Sequence, residues 1–156
     1  MNRFLYILML VTVACSGKVT ITEAEIKSDI FYTDRNSRPF TGKCIVVFSD
    51  TSLIKDEFTY KHGILHGKAT AWYKNGQMRR SGSYYKGLIS GKWEFWDEKG
   101  NKTVEANYKD DVLNGSFVLL YSNGKIREKG QFADNKRTGQ WSYYNEGGQP
   151  IQANSR

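Results

Sequence analysis

The chain has 156 residues, with 23 Lys and Arg against 16 Asp and Glu, a formal net charge of +7. That length holds one domain and excludes two of ordinary size. Aromatic residues make up 14%, there are 15 glycines and only two prolines, which is a strand-and-turn composition rather than a helical one. The basic balance suits a nucleic acid, an acidic polymer or an anionic membrane surface, and equally suits plain solubility.

Residues 1–14 (MNRFLYILMLVTVA) carry one early positive charge, Arg3, and then an apolar run. A permanent membrane-spanning helix needs about 20 apolar residues, so the run is too short for one. A short basic start, an apolar middle and a small residue before a cut is the pattern of a secretory signal. Thr12-Val13-Ala14-Cys15 resembles the lipobox of bacterial lipoproteins, with Thr12 in place of the usual aliphatic residue. That resemblance implies cleavage before Cys15 and lipid on its thiol. An ordinary signal cut elsewhere, or an uncleaved anchor, are the alternatives. Residues 15–29 then form the lipidated N-terminus and a polar tether, with a first edge strand expected from Val19 to Ile26. With Cys15 lipidated, Cys44 has no partner for an internal disulfide, and it reads as a buried small hydrophobe.

Residues 30–59 read as a degenerate capping repeat. Arg38 to Lys43 parallels the stretch through Leu65-His66-Gly67-Lys68 at 25 residues rather than 24, which places one extra residue in the turn Ser49-Asp50-Thr51-Ser52. From residue 60 to 156 a unit of 24 residues recurs four times, marked by Gly67, Gly91, Gly115 and Gly139, and by Gly76, Gly100, Gly124 and Gly148. A period of this length is the mark of an array, not of an enzyme core built round one pocket.

Each unit holds two turns and two strands. Asn75-Gly76 and its counterparts predict two-residue type I′ hairpin loops. On that register Ala69 faces Gly82, Trp93 faces Ala106, Phe117 faces Gly130 and Trp141 faces Asn154. Trp72 would face Arg79, Asp97 would face Lys102, and Glu94 would repel Glu105 slightly. Alternation puts the columns of residues 69, 71 and 73 on an apolar face and those of 68, 70 and 72 on a mixed one. The fold class is all-β: one elongated antiparallel sheet of about ten strands, built of consecutive hairpins that touch only their neighbours.

Gly91-Lys92-Trp93-Glu94-Phe95-Trp96-Asp97-Glu98-Lys99-Gly100, with Tyr84-Tyr85-Lys86-Gly87 before it, resembles a MORN repeat. It is more closely similar to the bacterial variant found in antitoxin-like and lipoprotein sequences, whose pattern is Gly-x-Trp-x-x-Tyr-x-x-Asn-Gly. The resemblance covers residues 35–155. It implies a β-hairpin array serving as a scaffold or binding surface, with membrane binding as a further implication. The antitoxin label of relatives is an association and carries no activity.

No column holds a repeating reactive group. His62 and His66 lie four apart in a glycine-flanked turn, not on a helix, and read as polar turn filling rather than metal ligands. Asp110-Asp111 reads as a solvated turn. No catalytic residue, metal or cofactor is expected. Charge is more informative. Residues 15–59 hold six basic and seven acidic residues, whereas residues 60–83 hold five basic and no acidic ones. The candidate binding patch is therefore Lys61, Lys68, Trp72, Tyr73, Lys74, Arg79 and Arg80. The expected protein is non-enzymatic and lipid-anchored in a bacterial cell envelope, on the periplasmic or surface face. It would scaffold an envelope protein partner and touch the membrane through its lipid. The alternative is a secreted module whose basic and aromatic patch binds phospholipid headgroups, an acidic glycan or another acidic polymer. Nucleic acid is not expected as a partner.

Overall fold

A computed structural model of the protein describes residues 12–14, 18–22 and 39–152. Cys15, most of the tether and Asn154 lie outside the described residues. Among these residues twelve strands form one sheet in sequence order. They are β1 (Thr12–Ala14), β2 (Lys18–Thr22), β3 (Gly42–Val47), β4 (Ile54–Lys61), β5 (Ile64–Trp72), β6 (Met78–Tyr85), β7 (Leu88–Trp96), β8 (Lys102–Lys109), β9 (Val112–Leu120), β10 (Ile126–Ala133), β11 (Lys136–Tyr144) and β12 (Pro150–Ile151). From β3 onward ten strands run antiparallel as consecutive hairpins, the expected architecture. The short pair β1–β2 extends the sheet at one end, and β2 runs parallel to β3.

The cross-strand pairs Ala69–Gly82, Trp93–Ala106 and Phe117–Gly130 stand as the sequence predicts. The turn chemistry differs. Tyr73 N–H donates to the Gln77 carbonyl and Gly76 N–H to the Tyr73 carbonyl, so the loop has the three residues Lys74, Asn75 and Gly76. Gly76 alone has positive φ, +85°, the mark of a type I turn closed by a glycine bulge. Near the turn Trp72 therefore opposes Met78, not Arg79. Arg79 is an extra bulged residue, and it restores the register from Ala71–Arg80 outward. The same bulge puts Lys102 opposite Trp96 rather than Asp97. The two-residue type I′ turns lie instead between units, at His62-Gly63, Lys86-Gly87, Asp110-Asp111 and Asp134-Asn135, where both residues of each turn have φ between 49° and 89°. Asp and Asn tolerate this left-handed backbone better than most side chains. In the cap, Phe48 N–H reaches the Leu53 carbonyl, so its loop holds the one extra residue that the spacing requires.

Units are stitched along both long edges. Gly63, Gly87, Asp111 and Asn135 each donate a backbone N–H to a carbonyl of the preceding unit: Phe40, Leu65, Ile89 and Leu113. On the other edge the Tyr73 hydroxyl donates to the Trp96 carbonyl and the Tyr121 hydroxyl to that of Tyr144, both at 2.8 Å. Asn75 and Asn123 clamp Glu98 and Glu146 in the same way. The predicted apolar face carries the core. Phe40, Cys44, Val46 and Tyr60 cluster at the cap, with Phe58 and Leu65 packed on them, and Ala69, Ala71, Trp93 and Ala106 continue it. Trp93 is 2% exposed and lies flat over Gly82, where a Cβ would fall 2.2 Å from its ring. Further along, Phe117 and Trp141 hold the same column but stay half-exposed. Only one sheet layer exists among the described residues.

Candidate binding site

The structure divides the basic patch rather than gathering it. Arg79 and Arg80 both turn toward Asp56, each with a nitrogen 3.4 Å from its Oδ1. Asp56 is buried and sits in the cap, about one repeat upstream. Lys74 is paired with Asp50, also in the cap. Tyr73 is spent on the Trp96 carbonyl, and Trp72 is half-buried on the mixed face. Lys61 and Lys68 are exposed and form no ion pair among the described residues. So three of the five cations without an acidic neighbour in sequence have one in space.

The expected Glu94–Glu105 repulsion is answered in the same manner. The two carboxylates do stand opposite each other, but Lys92 and Lys102 each bridge both, with N–O distances from 2.6 to 3.2 Å. Hydrogen bonds from Lys102 and Lys92 hold both carboxyls below their ordinary value, and the carboxylates in turn raise both lysines. Cys44 is fully buried, and burial pushes its thiol up to about 12, which suppresses the reactive thiolate.

Lys61 belongs to a different constellation. With His62, Ile64, His66, Tyr85 and Lys86 it lines a cleft of about 270 Å³ beside the first two type I′ turns. The His66 and Tyr85 rings are 5.2 Å apart, the Lys86 Nζ is 5.4 Å from the Tyr85 ring, and Ile64 lies against Gly87. Sequence reasoning missed this cleft because it is assembled from two successive units, and His62 and His66 look like turn filling within one. Aligning the turn-closing pairs, Lys61–Ile64 and Tyr85–Leu88, would have found it. Among the described residues no three His, Cys, Asp or Glu side chains come together as a metal site would need.

Residues 65–86 and 89–110 match the family profile of the MORN repeat variant. The two matches start 24 residues apart, and the first contains His66, Tyr85 and Lys86 of the cleft. Outside the matched stretches the following two units repeat the glycine turns at Gly124 and Gly148, and the third repeats the bulge between Ile126 and Glu128. No curated protein matches the chain. Among the described residues, no helix is long and apolar enough to cross a membrane.

Proposed function

We propose that the chain is a non-enzymatic repeat protein, tethered by lipid on Cys15 to a bacterial cell envelope, that presents its hairpin array as a scaffold for an envelope protein. The observation that carries this reading is the single open layer held rigid by bonds between units. Hydrogen bonds along both edges fix the spacing of the units, and a regular array of fixed spacing offers an extended contact surface. The anchor rests on the sequence around Cys15. Mass spectrometry of the mature N-terminus, with crosslinking in intact envelopes and identification of what is trapped, tests both halves. A diacylated Cys15 and one recurrent protein partner are expected. An unmodified chain in the cytoplasm would sink the reading.

A second reading draws on the exposed, unpaired Lys61 and Lys68: an exported module that holds phospholipid headgroups or acidic polymers. Capture that fades steeply between low and physiological salt favours it, and salt-insensitive capture of one protein favours the scaffold.

A further inference from the structure

The type I′ turns form a row along one edge of the array, at the same place in every unit. Their first residues are His62, Lys86, Asp110 and Asp134. Their closing pairs are Lys61–Ile64, Tyr85–Leu88, Lys109–Val112 and Ala133–Lys136. The first turn residue thus passes from His and Lys to Asp along the row, while the apolar size of the closing pairs is greatest at Tyr85–Leu88 and falls after it. Only at the first boundary do large exposed apolar groups and cations coincide. Ile64, Tyr85 and Leu88 are 40%, 51% and 39% exposed, no carboxylate lines the cleft, and Lys61 and Lys86 form no ion pair among the described residues. Open apolar surface beside cations that no carboxylate answers is the composition of a recognition surface.

We infer that this cleft is the docking site for an acidic linear segment of a protein partner. One aromatic or aliphatic side chain of that segment settles in the cleft against Ile64 and the paired His66 and Tyr85 rings, and carboxylates on either side of it meet Lys61 and Lys86. The inference rests on the scaffold reading and names the chemistry of its partner. The cleft, of about 270 Å³, has room for one anchoring side chain. The charge row selects a short segment. Further along this edge Asp110, Asp111 and Asp134 stand beside Lys109 and Lys136, so an anionic membrane or polymer laid along it gains no net attraction beyond the first boundary.

The test uses the full chain in detergent and a labelled, end-blocked peptide with one phenylalanine flanked by aspartates, followed by fluorescence anisotropy. Wild type binds. The double variant Lys61→Glu/Lys86→Glu and the single variant Tyr85→Ala each weaken binding by about tenfold or more, as does alanine for the peptide's phenylalanine or asparagine for its aspartates. Lys109→Glu/Lys136→Glu makes the same change in net charge on the same edge and leaves binding intact. Unchanged thermal melts show that the variants fold, as expected for exposed side chains. An equal loss in the Lys109/Lys136 variant, or no binding by wild type, overturns the inference. So does binding of phosphatidylglycerol vesicles in place of the peptide, or a dimer of the chain that the Lys61/Lys86 variant dissolves. In envelopes, partner capture unaffected by Lys61→Glu/Lys86→Glu overturns the cleft and leaves the scaffold standing. Peptide binding at the cleft with no protein captured in envelopes supports the cleft and removes the scaffold.

Discussion

Replacing Gly82 by alanine tests whether the array is spaced by a tryptophan lying on bare backbone. Gly82 does not have the left-handed φ that would itself forbid a side chain. On backbone grounds alone, alanine there should stabilise by about 0.4–1 kcal/mol, by restricting the unfolded chain. The new Cβ, however, falls 2.2 Å from Cδ2 and 2.3 Å from Cε2 of Trp93, where comfortable carbon contacts are about 3.5–4.0 Å. The ring is buried and its Nε1 donates to the Ser83 carbonyl at 3.1 Å. Moving it costs about 1–3 kcal/mol of overpacking and much of a hydrogen bond worth about 0.5–1.5 kcal/mol. The clash wins, for a net loss of about 0.5–4 kcal/mol once the backbone gain of about 0.4–1 kcal/mol is set against it. At about 2–4 °C per kcal/mol for a chain of this size, the melting temperature falls by roughly 1–16 °C. The decisive measurement is a double-mutant cycle by urea unfolding, followed by circular dichroism because one of the four tryptophan fluorophores is itself removed. Trp93→Ala alone costs about 3–5 kcal/mol. In that background Gly82→Ala should be neutral or slightly stabilising, a coupling of about 2 kcal/mol or more. An equal cost in both backgrounds would refute the reasoning.

Gly130→Ala meets Trp141 in the same way, with the Cβ 2.3 Å from its ring. Trp141 is only half-buried and its Nε1 has no hydrogen-bond partner among the described residues, so the ring can yield and the loss in the same urea assay should be smaller than at Gly82. Asp56→Ala strips the partner from Arg79 and Arg80. Both guanidinium groups are more than a third exposed and can rehydrate, so the chemical-denaturation cost should be about 1–2 kcal/mol rather than that of a fully buried ion pair. Glu94 and Glu105 have folded values below their ordinary 4.5, so the unfolded chain takes up their protons first. Their contribution is intact above about 4.5 and is lost as pH falls through the lowered folded values; melting temperatures of Glu94→Gln/Glu105→Gln should decline less between pH 6 and 3 than those of wild type. Cys44 is raised from 9.0 to about 12, so the unfolded chain loses its proton first and this contribution fades as pH rises above 9. In a Cys15→Ser chain, thiol reagents should label Cys44 only as fast as the protein opens, and rapid labelling of folded protein would contradict its burial.

The fold was legible because the glycine period and the alternation of side chains are both local signals. The register survived an error in turn chemistry for a definite reason. A three-residue loop at Lys74-Asn75-Gly76 shifts the pairing by one, and the bulge at Arg79 shifts it back. Ala69 therefore meets Gly82 on either reading, while Trp72 and Arg79, between loop and bulge, do not meet. Type I′ geometry went instead to Asp110-Asp111 and Asp134-Asn135, which carry no glycine. There the side chains of Asp111 and Asn135 accept from the backbone N–H of Ile89 and Leu113 at 2.7 and 2.9 Å. That compensation comes from a neighbouring unit, and no window of sequence around the turn displays it.

The candidate site was less legible for the same physical reason. In an array with this period, a side chain's neighbours in space are the residues one unit away. Counting charge within residues 60–83 found five cations and no acid, yet Asp50 and Asp56, both in the cap, answer Lys74, Arg79 and Arg80. The same rule builds the cleft, where His66 finds Tyr85 and Ile64 finds Gly87 across a unit boundary. Charge and apolar surface in such a chain should therefore be summed by column over adjacent units. By that sum the first unit ceases to be a broad basic patch. What remains uncompensated is Lys68 on the mixed face and the Lys61–Lys86 cleft on the edge. The cleft alone joins charge to exposed apolar surface, and it is the place where a change of two side chains should alter binding without altering the fold.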